Sequence, residues 1–293
     1  MIANGTDIGA FIPTINFKVG NDRLNRFIKN AQEEVVRKIL GSDLEQILEI
    51  PLNEGNSDTH AVLREKTKNA IYYTAFLNAI PMLDLQMSEA GFVVASNQAV
   101  SPASRERVDK LINGTALTKS EAFESLHQFL IDNSKTSLSQ YASWRGTPQF
   151  AHLSGGYVIS LREFNSCYIH GDDSIFGNAV TWDYWYDAIP KMNEALVTDI
   201  AEYISGEYIT ELLEKKRDAE PLLAIENGVD YHIGCAVVSA AHDMKDSMVK
   251  QAVLARKIML RNISSFPTFR NSAAYDLPQL NIGDRDNAVA NLL

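Results

Sequence analysis

The chain has 293 residues, of which 45% are hydrophobic and 22% charged, and its net charge is −10. This composition is typical of a folded globular protein rather than a disordered or fibrous one, and the length allows two domains. The acidic balance argues against a surface that grips nucleic-acid phosphates, because such binding depends on clustered lysine and arginine.

Neither the first twenty residues nor the cysteine content indicates export. The first twenty residues contain one lysine and no long apolar run, which argues against a secretory signal. The most apolar stretch, Ala70 to Leu85, is interrupted by polar residues and proline, so no membrane span is expected. Two distant cysteines, Cys167 and Cys235, do not make a disulfide framework or a metal knuckle. We therefore expect a protein made in a reducing cytoplasm.

The first predicted helix begins near Leu24. Apolar residues from there to Leu40 recur at intervals of three and four, as one face of a helix requires, and Gly41 ends the helix. A short helix follows it, and after a turn-rich loop a second long helix is expected from about Thr59 to Met87.

The next segment predicts a hairpin and two further helices. Gly91 to Val94 is expected to form a strand that turns around Ser96-Asn97. A helix is expected to begin with Ser101 as its N-cap and Pro102 at its first position. The sequence Thr118-Lys119-Ser120-Glu121 fits a capping box and predicts the start of another helix.

The second half of the chain repeats the first half. At an offset of 165 positions, nine positions match without a gap, and one of the nine pairs is Gly41 with Gly206. At an offset of 161 the long second helix recurs, and the pattern then runs on to about Asn262. Because periodicity alone would not align the terminating glycine as well, a duplication is predicted.

These patterns predict a mainly α fold, a duplicated helical-bundle unit with a small irregular or β connector. The first unit is expected over residues 1–135, a glycine-rich connector with one strand at Tyr157 to Leu161 over 136–180, and the second unit over 181–263. Residues 264–293 read as an extended tail that orders on a partner, so its removal is expected to impair assembly more than folding.

Motifs for known catalytic mechanisms are missing from the sequence, including phosphate loops, nucleophile elbows and zinc-protease signatures. His170, Asp172 and Asp173 could bind a divalent ion or serve as acid and base, or they could form a polar turn. His232 and Cys235, one helical turn apart, could share a metal or belong to a core helix. We predict no catalytic residues, no metal and no cofactor.

The last predicted helix is locally basic in an acidic chain. Its basic side chains could dock an acidic partner, or they could complement the negative end of the helix dipole from a solvated face. Aromatic residues of the tail could fill grooves on the same partner. The candidate docking residues are Lys250, Arg256, Lys257, Arg261, Phe266, Phe269 and Tyr275.

Several short motifs resemble an uncharacterised family encoded in Bacteroidetes phages and prophages. The motifs are Ile15-Asn16-Phe17, Ile28 to Glu33, Ile39 to Leu44, Ala90-Gly91, Pro102-Ala103-Ser104 and Phe164-Asn165. That family in turn resembles the head–tail connector (adaptor) proteins of tailed phages. Those connectors are usually one small helical domain, whereas two are predicted here.

The resemblance implies a structural virion protein without catalysis. It implies a ring of identical subunits, of which about twelve is one option, between portal and tail proteins. DNA would pass through an acidic channel without sequence-specific binding, and no membrane would be involved. Two alternatives are a cytoplasmic helical binding protein and a hydrolase or metal enzyme that uses His170, Asp172 and Asp173.

Overall fold

The protein is mainly α-helical, as the sequence predicts. A computed structural model describes residues 2–4, 8–12, 22–49, 58–83, 85–88, 91–94, 105–135, 141–169, 180–218 and 220–275. The chain divides into two compact units. Unit 1 comprises Met1–Ala151 and Thr181–Asp183, and unit 2 comprises His152–Val180 and Tyr184–Leu293.

Unit 1 is built on three long helices that pack against one another. Its elements in chain order are α1 (Ile8–Phe11), α2 (Asp22–Val35), a π turn (Val36–Leu40), α3 (Gly41–Glu49), α4 (Asp58–Leu83), β1 (Leu85–Ser88), β2 (Gly91–Val94), α5 (Arg105–Asn133) and a 3-10 turn (Ala142–Gly146). Helix α4 packs on both α2 and α5. The helix predicted from Thr59 to Met87 is confirmed as far as Leu83, whereas Leu85 to Met87 belong to β1.

The apolar faces read from the sequence form the core of unit 1. On α2, Leu24, Ile28 and Ala31 are buried at the spacing of one helix face, which removes their side chains from water. Phe76 on α4 and Phe123 on α5 are buried as well. Burial of these residues explains why the three helices pack together.

Unit 2 contains the helices of the second half. Helix α6 (Pro148–Gly155) runs from unit 1 into unit 2, and α8 (Trp182–Ala195) begins in unit 1. The other elements are α7 (Leu161–Ile169), a π turn (Leu196–Ile200), α9 (Ala201–Ile204), α10 (Gly206–Asp218), α11 (Ala224–Ala241), α12 (Lys245–Arg261), a 3-10 turn (Ile263–Ser265) and α13 (Pro267–Arg270). Helix α11 packs on α12 and on α7.

The order of elements recurs in the two units. Each has a long helix with a π turn, then a residue with positive φ at which the next helix begins. That residue is Gly41 in unit 1, with φ +74°, and Ser205 in unit 2, with φ +98°. Gly41 and Gly206, which the sequence pairs, are the first residues of α3 and α10, but by the position of the positive φ the equivalent of Gly41 is Ser205. The π turn of unit 1 directly precedes Gly41, whereas in unit 2 the four residues of α9 intervene before Ser205.

A second equivalence supports the pairing of Gly41 with Ser205. Two residues before each of them, a backbone carbonyl accepts a hydrogen bond from a distant side chain. The indole N–H of Trp144 donates to Ile39 O at 2.6 Å, and Arg256 Nη1 donates to Tyr203 O at 2.9 Å. Each bond satisfies a carbonyl near a helix end. Whether the two units superpose remains a prediction.

A hairpin is present and contains the predicted strand Gly91–Val94, but it is not the hairpin predicted around Ser96-Asn97. Strands β1 and β2 pair antiparallel with Leu85 opposite Val94 and Ser88 opposite Gly91, so the chain turns between Ser88 and Gly91. The turn predicted at Ser96-Asn97 is not part of this pairing. Those two residues, Ser101 and Pro102 lie outside the described residues.

The capping box predicted at Thr118 does not start a helix, because α5 is continuous there. Thr118 Oγ1 donates to Gly114 O at 3.1 Å, and Ser120 Oγ donates to Ala116 O at 2.9 Å. Both hydroxyls bond back to carbonyls of the preceding turn, as serine and threonine inside helices do. The capping-box pattern therefore predicted a helix start at a position that lies inside α5.

The strand predicted at Tyr157 to Leu161 is also wrong. The segment is the entry to α7: Ser160 Oγ accepts from the backbone N–H of Glu163 at 3.1 Å, and the Glu163 carboxylate accepts from Ile159 N–H at 3.0 Å. These two bonds satisfy N–H groups at the helix start. The predicted connector is thus helical over most of its described part.

The long final helix of the second unit is interrupted. Helix α11 ends at Ala241, Asp243 adopts φ +61°, and α12 starts at Lys245. The predicted run to Asn262 is therefore two helices. Within the described ranges, no helix is both long and apolar enough to cross a bilayer.

Candidate functional sites: two ion clusters and a basic helix

Four charged side chains of unit 1 form a closed ring of ion pairs, here called the Lys119 cluster: Lys119, Lys38, Glu34 and Asp183. Lys119 Nζ lies 3.1 Å from Glu34 and 2.8 Å from Asp183, and Lys38 Nζ lies 3.1 Å and 2.6 Å from the same two carboxylates. Lys119 is only 7% exposed and Lys38 12%. Each buried cation therefore contacts two anions.

The elements that carry the Lys119 cluster explain its geometry. Glu34 and Lys38 are one helical turn apart, Lys119 comes from α5, and Asp183 lies in the first turn of α8. The backbone N–H of Trp182 donates to Ser120 Oγ at 3.0 Å, which anchors the start of α8 beside Lys119. A carboxylate in the first turn is also favoured by the helix dipole.

The charges of the Lys119 cluster stabilise one another. Burial alone would raise the pKa of Asp183, but hydrogen bonds from Lys119 and Lys38 hold it below its ordinary value. Burial alone would lower the pKa of Lys38, but Asp183 and Glu34 raise it on balance. Both groups therefore stay ionised near neutral pH, which suits cross-linking of helices better than proton transfer.

Unit 2 has a second buried group, the Lys216 cluster, made of Lys216, Glu163, Asp230 and Tyr157. Lys216 is 9% exposed and its ammonium contacts both the Glu163 carboxylate and, at 3.1 Å, that of Asp230. The same ammonium lies 4.3 Å from the centroid of the Tyr157 ring, a cation–π distance. The cluster joins α10 to α11 and to the start of α7.

Burial dominates the acid–base properties of the Lys216 cluster. It raises the pKa of Glu163, although Lys216 opposes this. The pKa of Lys216 would fall on burial, but Glu163 and Asp230 raise it. Burial, with the nearby Asp230 charge, raises the pKa of Tyr157. The lysine is therefore a permanent cation and the tyrosine a neutral phenol, and neither is poised to exchange protons at neutral pH.

The neighbouring Lys215 ties the C-terminal part of unit 2 together. Its ammonium lies 2.9 Å from Glu211 and 2.7 Å from Glu226. Glu226 also accepts the backbone N–H of Leu223 at 2.8 Å, which caps α11. Glu211 accepts a hydrogen bond from Thr268 in α13 at 2.7 Å. The segment after α12 is thus bonded into unit 2.

Of the candidate metal ligands, His232 and Cys235 lie within the described residues. His232 Nδ1 lies 2.7 Å from Gln251 Oε1, so this ring nitrogen bonds an amide. Among the described residues, no three His, Cys, Asp or Glu side chains are grouped to hold a metal. His170, Asp172 and Asp173 lie outside the described residues.

The basic residues of α12 fall into two classes. Arg256 is half-buried, donates to Tyr203 O and Ala274 O, and lies 5.6 Å from the Phe269 ring centroid. It is a structural residue of unit 2, not a docking residue. Lys250 and Arg261 are exposed, and with the half-exposed Lys257 they follow one stripe of α12, at intervals of seven and four residues.

Two predicted docking aromatics belong to the core. Phe266 and Phe269 are fully buried, and Phe266 packs edge-to-face on Tyr208 with ring centroids 5.4 Å apart. The tail prediction is therefore wrong as far as Tyr275, and the remaining residues lie outside the described part. Tyr275, 37% exposed, packs on Phe269. Because Pro267 interrupts the apolar pattern, the sequence does not indicate that Phe266 and Phe269 are buried.

Comparison with known proteins adds one similarity. Residues 32–153 match a family of unknown function (DUF6712). The match covers less than half of the chain and ends two residues after Ala151, the end of the main segment of unit 1. The chain is thus similar to that family over most of unit 1. No curated protein and no solved structure matches this chain.

Proposed function

We propose that the chain is a structural protein of a phage particle, a head–tail connector that forms a ring between portal and tail. The resemblance of Ile28 to Glu33 and Ile39 to Leu44 to phage-encoded proteins supports this assignment. Both motifs lie in the first part of unit 1, where α2 and its π turn are followed by α3 at Gly41.

The observation that carries the proposal is the pairing of buried charge. Lys119 and Lys216 each contact two carboxylates from other elements, so each acts as a cross-link between helices. Such networks hold helices in one arrangement, and truncating one partner leaves a buried charge uncompensated. A subunit that must keep its shape inside a particle benefits from this rigidity.

The stripe of Lys250, Lys257 and Arg261 supplies a surface for a neighbour. It is basic in a chain of net charge −10, so it suits the acidic face of another subunit or of the portal or tail protein. The acidic excess of the remaining chain suits a wall along which DNA slides without binding.

Deletion of the gene from a phage genome that encodes it tests the proposal. The expected result is DNA-filled heads without attached tails in electron micrographs, and restoration of infectious particles by the gene supplied in trans. Mass spectrometry of purified wild-type particles should find the protein. Normal infectious particles from the deletion phage would overturn the proposal, and so would absence of the protein from wild-type particles.

A further inference from the structure

The two cysteines of the chain lie together in unit 2 although 68 residues separate them. Cys167 is in α7 and Cys235 in α11, two helices that pack on each other. Both are free thiols and each is 5% exposed. Neither takes part in the ion clusters or the basic stripe.

Each sulfur lies against the backbone of the other cysteine's segment. Cys235 Sγ is 3.6 Å from the carbonyl oxygen of Cys167. Conversely, a Cβ atom built on Gly234 would lie 2.9 Å from Cys167 Sγ, so that sulfur occupies space that only glycine leaves open. The two side chains thus approach each other from both helices.

We propose that Cys167 and Cys235 are a peroxide-sensitive dithiol that closes to a disulfide between α7 and α11. The proposal does not depend on the virion function, because it concerns the chain alone. The bond would close the chain segment from Cys167 to Cys235 into a covalent loop and so stabilise the folded chain against unfolding.

The surroundings favour Cys235 as the attacking thiol. A hydrogen bond from the Cys167 thiol, with a further one from Tyr231, lowers the pKa of Cys235, whereas the same thiol–thiol bond and burial raise the pKa of Cys167. The thiolate is the nucleophilic form of cysteine, and Cys235 reaches it more readily. Tyr231 is 37% exposed and marks the side of α11 nearest to solvent.

The reaction balances with hydrogen peroxide as the oxidant. The Cys235 thiolate attacks one peroxide oxygen, which forms a sulfenic acid and, with a proton, releases one water. The sulfur of Cys167 then attacks the sulfenic sulfur. The hydroxyl group leaves with the Cys167 proton as a second water, and the S–S bond forms. Two thiols are oxidised and one peroxide is reduced.

Treatment of the reduced full chain with hydrogen peroxide tests the proposal. Thiols are counted with a colorimetric disulfide reagent after denaturation, and the intact mass is measured. We expect both thiols to disappear, the intact mass to fall by two hydrogens, one cross-linked peptide pair to contain Cys167 and Cys235, and dithiothreitol to reverse all three changes. The oxidised chain should also melt at a higher temperature than the reduced chain.

Two serine variants give the matched controls. Cys167→Ser should stop at the sulfenic acid of Cys235, which dimedone traps, or proceed to higher oxides. Cys235→Ser should keep its single thiol at the same peroxide dose, with at least tenfold slower loss. Persistence of both wild-type thiols, gain of oxygen without loss of hydrogen, or disulfides only between chains would overturn the proposal. Equal reactivity of the two variants would overturn the assignment of Cys235 as the attacking thiol.

Discussion

The ammonium group of Lys119 lies 2.8 Å from the carboxylate of Asp183, 64 residues further along the chain. Lys119 is 7% exposed, whereas Asp183 is 39% exposed, so the pair sits at the edge of the core. Glu34 supplies the second anion for Lys119. The start of α8 is thereby fastened to α5 and to the end of α2.

Removal of the Asp183 charge should destabilise the protein. We expect Asp183→Asn to lower the free energy of unfolding by about 2 kcal/mol. This is less than the roughly 3–5 kcal/mol typical of a fully buried pair, because the Asp183 carboxylate is partly solvated. Urea denaturation followed by tryptophan fluorescence measures the change.

The pair Lys110–Glu106, at 2.7 Å but with both side chains over 70% exposed, is the control. Glu106→Gln should change stability little, and equal effects of the two variants would contradict the prediction.

His127 should make stability fall in weak acid. It is fully buried near Trp144, and burial lowers its pKa to about 3. In the unfolded chain this histidine has a pKa of about 6.5. Between about pH 3 and pH 6.5, the unfolded chain therefore binds a proton at His127 and the folded chain does not. His127 therefore leaves the free energy of unfolding unchanged with pH above about pH 6.5. Below that pH, it lowers the free energy of unfolding by about 1.4 kcal/mol per pH unit.

A histidine variant isolates this effect. Urea denaturation of the wild type and of His127→Gln at pH 7, 6 and 5 gives the slope of stability with pH for each. We expect the variant to have the shallower slope, because glutamine does not bind the proton. Parallel slopes would show that other groups cause the acid sensitivity.

Ser205 should be a strained position that glycine relieves. It adopts φ +98° and ψ 136°, a region that side chains avoid, yet its hydroxyl caps α10 by accepting the N–H of Tyr208 at 3.2 Å. Glycine relieves the strain and costs only a few tenths of a kcal/mol as a cap, so Ser205→Gly should stabilise by about 0.5 kcal/mol. Ser205→Ala keeps the strain, loses the cap and should destabilise by about 1 kcal/mol.

The equivalent residue of unit 1 gives the reciprocal test. Gly41 adopts φ +74°, and a Cβ atom there would lie 3.0 Å from Gln149 Oε1. We expect Gly41→Ala to destabilise by at least about 1 kcal/mol. Melting temperatures of Ser205→Gly, Ser205→Ala and Gly41→Ala test these three predictions. A stabilising Gly41→Ala would refute the equivalence of Gly41 with Ser205.

The segment after α12 should be needed for folding. Phe269 is fully buried beneath Arg256, so Phe269→Ala should cost about 3–5 kcal/mol. Tyr275→Ala, at the exposed end of the same segment, should cost far less. A chain ending at Ser265 loses Phe266 as well and should unfold at a markedly lower temperature. Cooperative melting of that shortened chain at the wild-type temperature would disprove the role of the two phenylalanines.

The sequence predicts much of the helical framework because periodicity reports directly which face of a helix is buried. The apolar repeat from Leu24 to Leu40 marks the core face of α2, and the run from Thr59 predicts α4 to within a few residues. The break after the first helix was also predictable, since Gly41 is the residue type that a positive φ favours.

Other features depend on contacts between distant residues and leave no local signal. Ser205 takes the conformation expected of a glycine, so the pattern pointed to Gly206 instead. The partners of Lys119 are 85 and 64 residues away, and nothing in the sequence indicates such pairings. Phe266 and Phe269 stand among prolines and polar residues, and only their packing on Tyr208 and Arg256 makes them core.

Unit 1 cannot be completed during synthesis until the first segment of unit 2 has been translated. Residues 152–180 enter unit 2 before residues 181–183 return to unit 1, so no single cleavage separates two complete units. During synthesis the ammonium groups of Lys38 and Lys119 lack the Asp183 carboxylate until that residue has emerged from the ribosome. By then, part of unit 2 has already been translated. Unit 1 therefore completes its ion cluster late, and a fragment cut at residue 151 would keep it permanently unfinished.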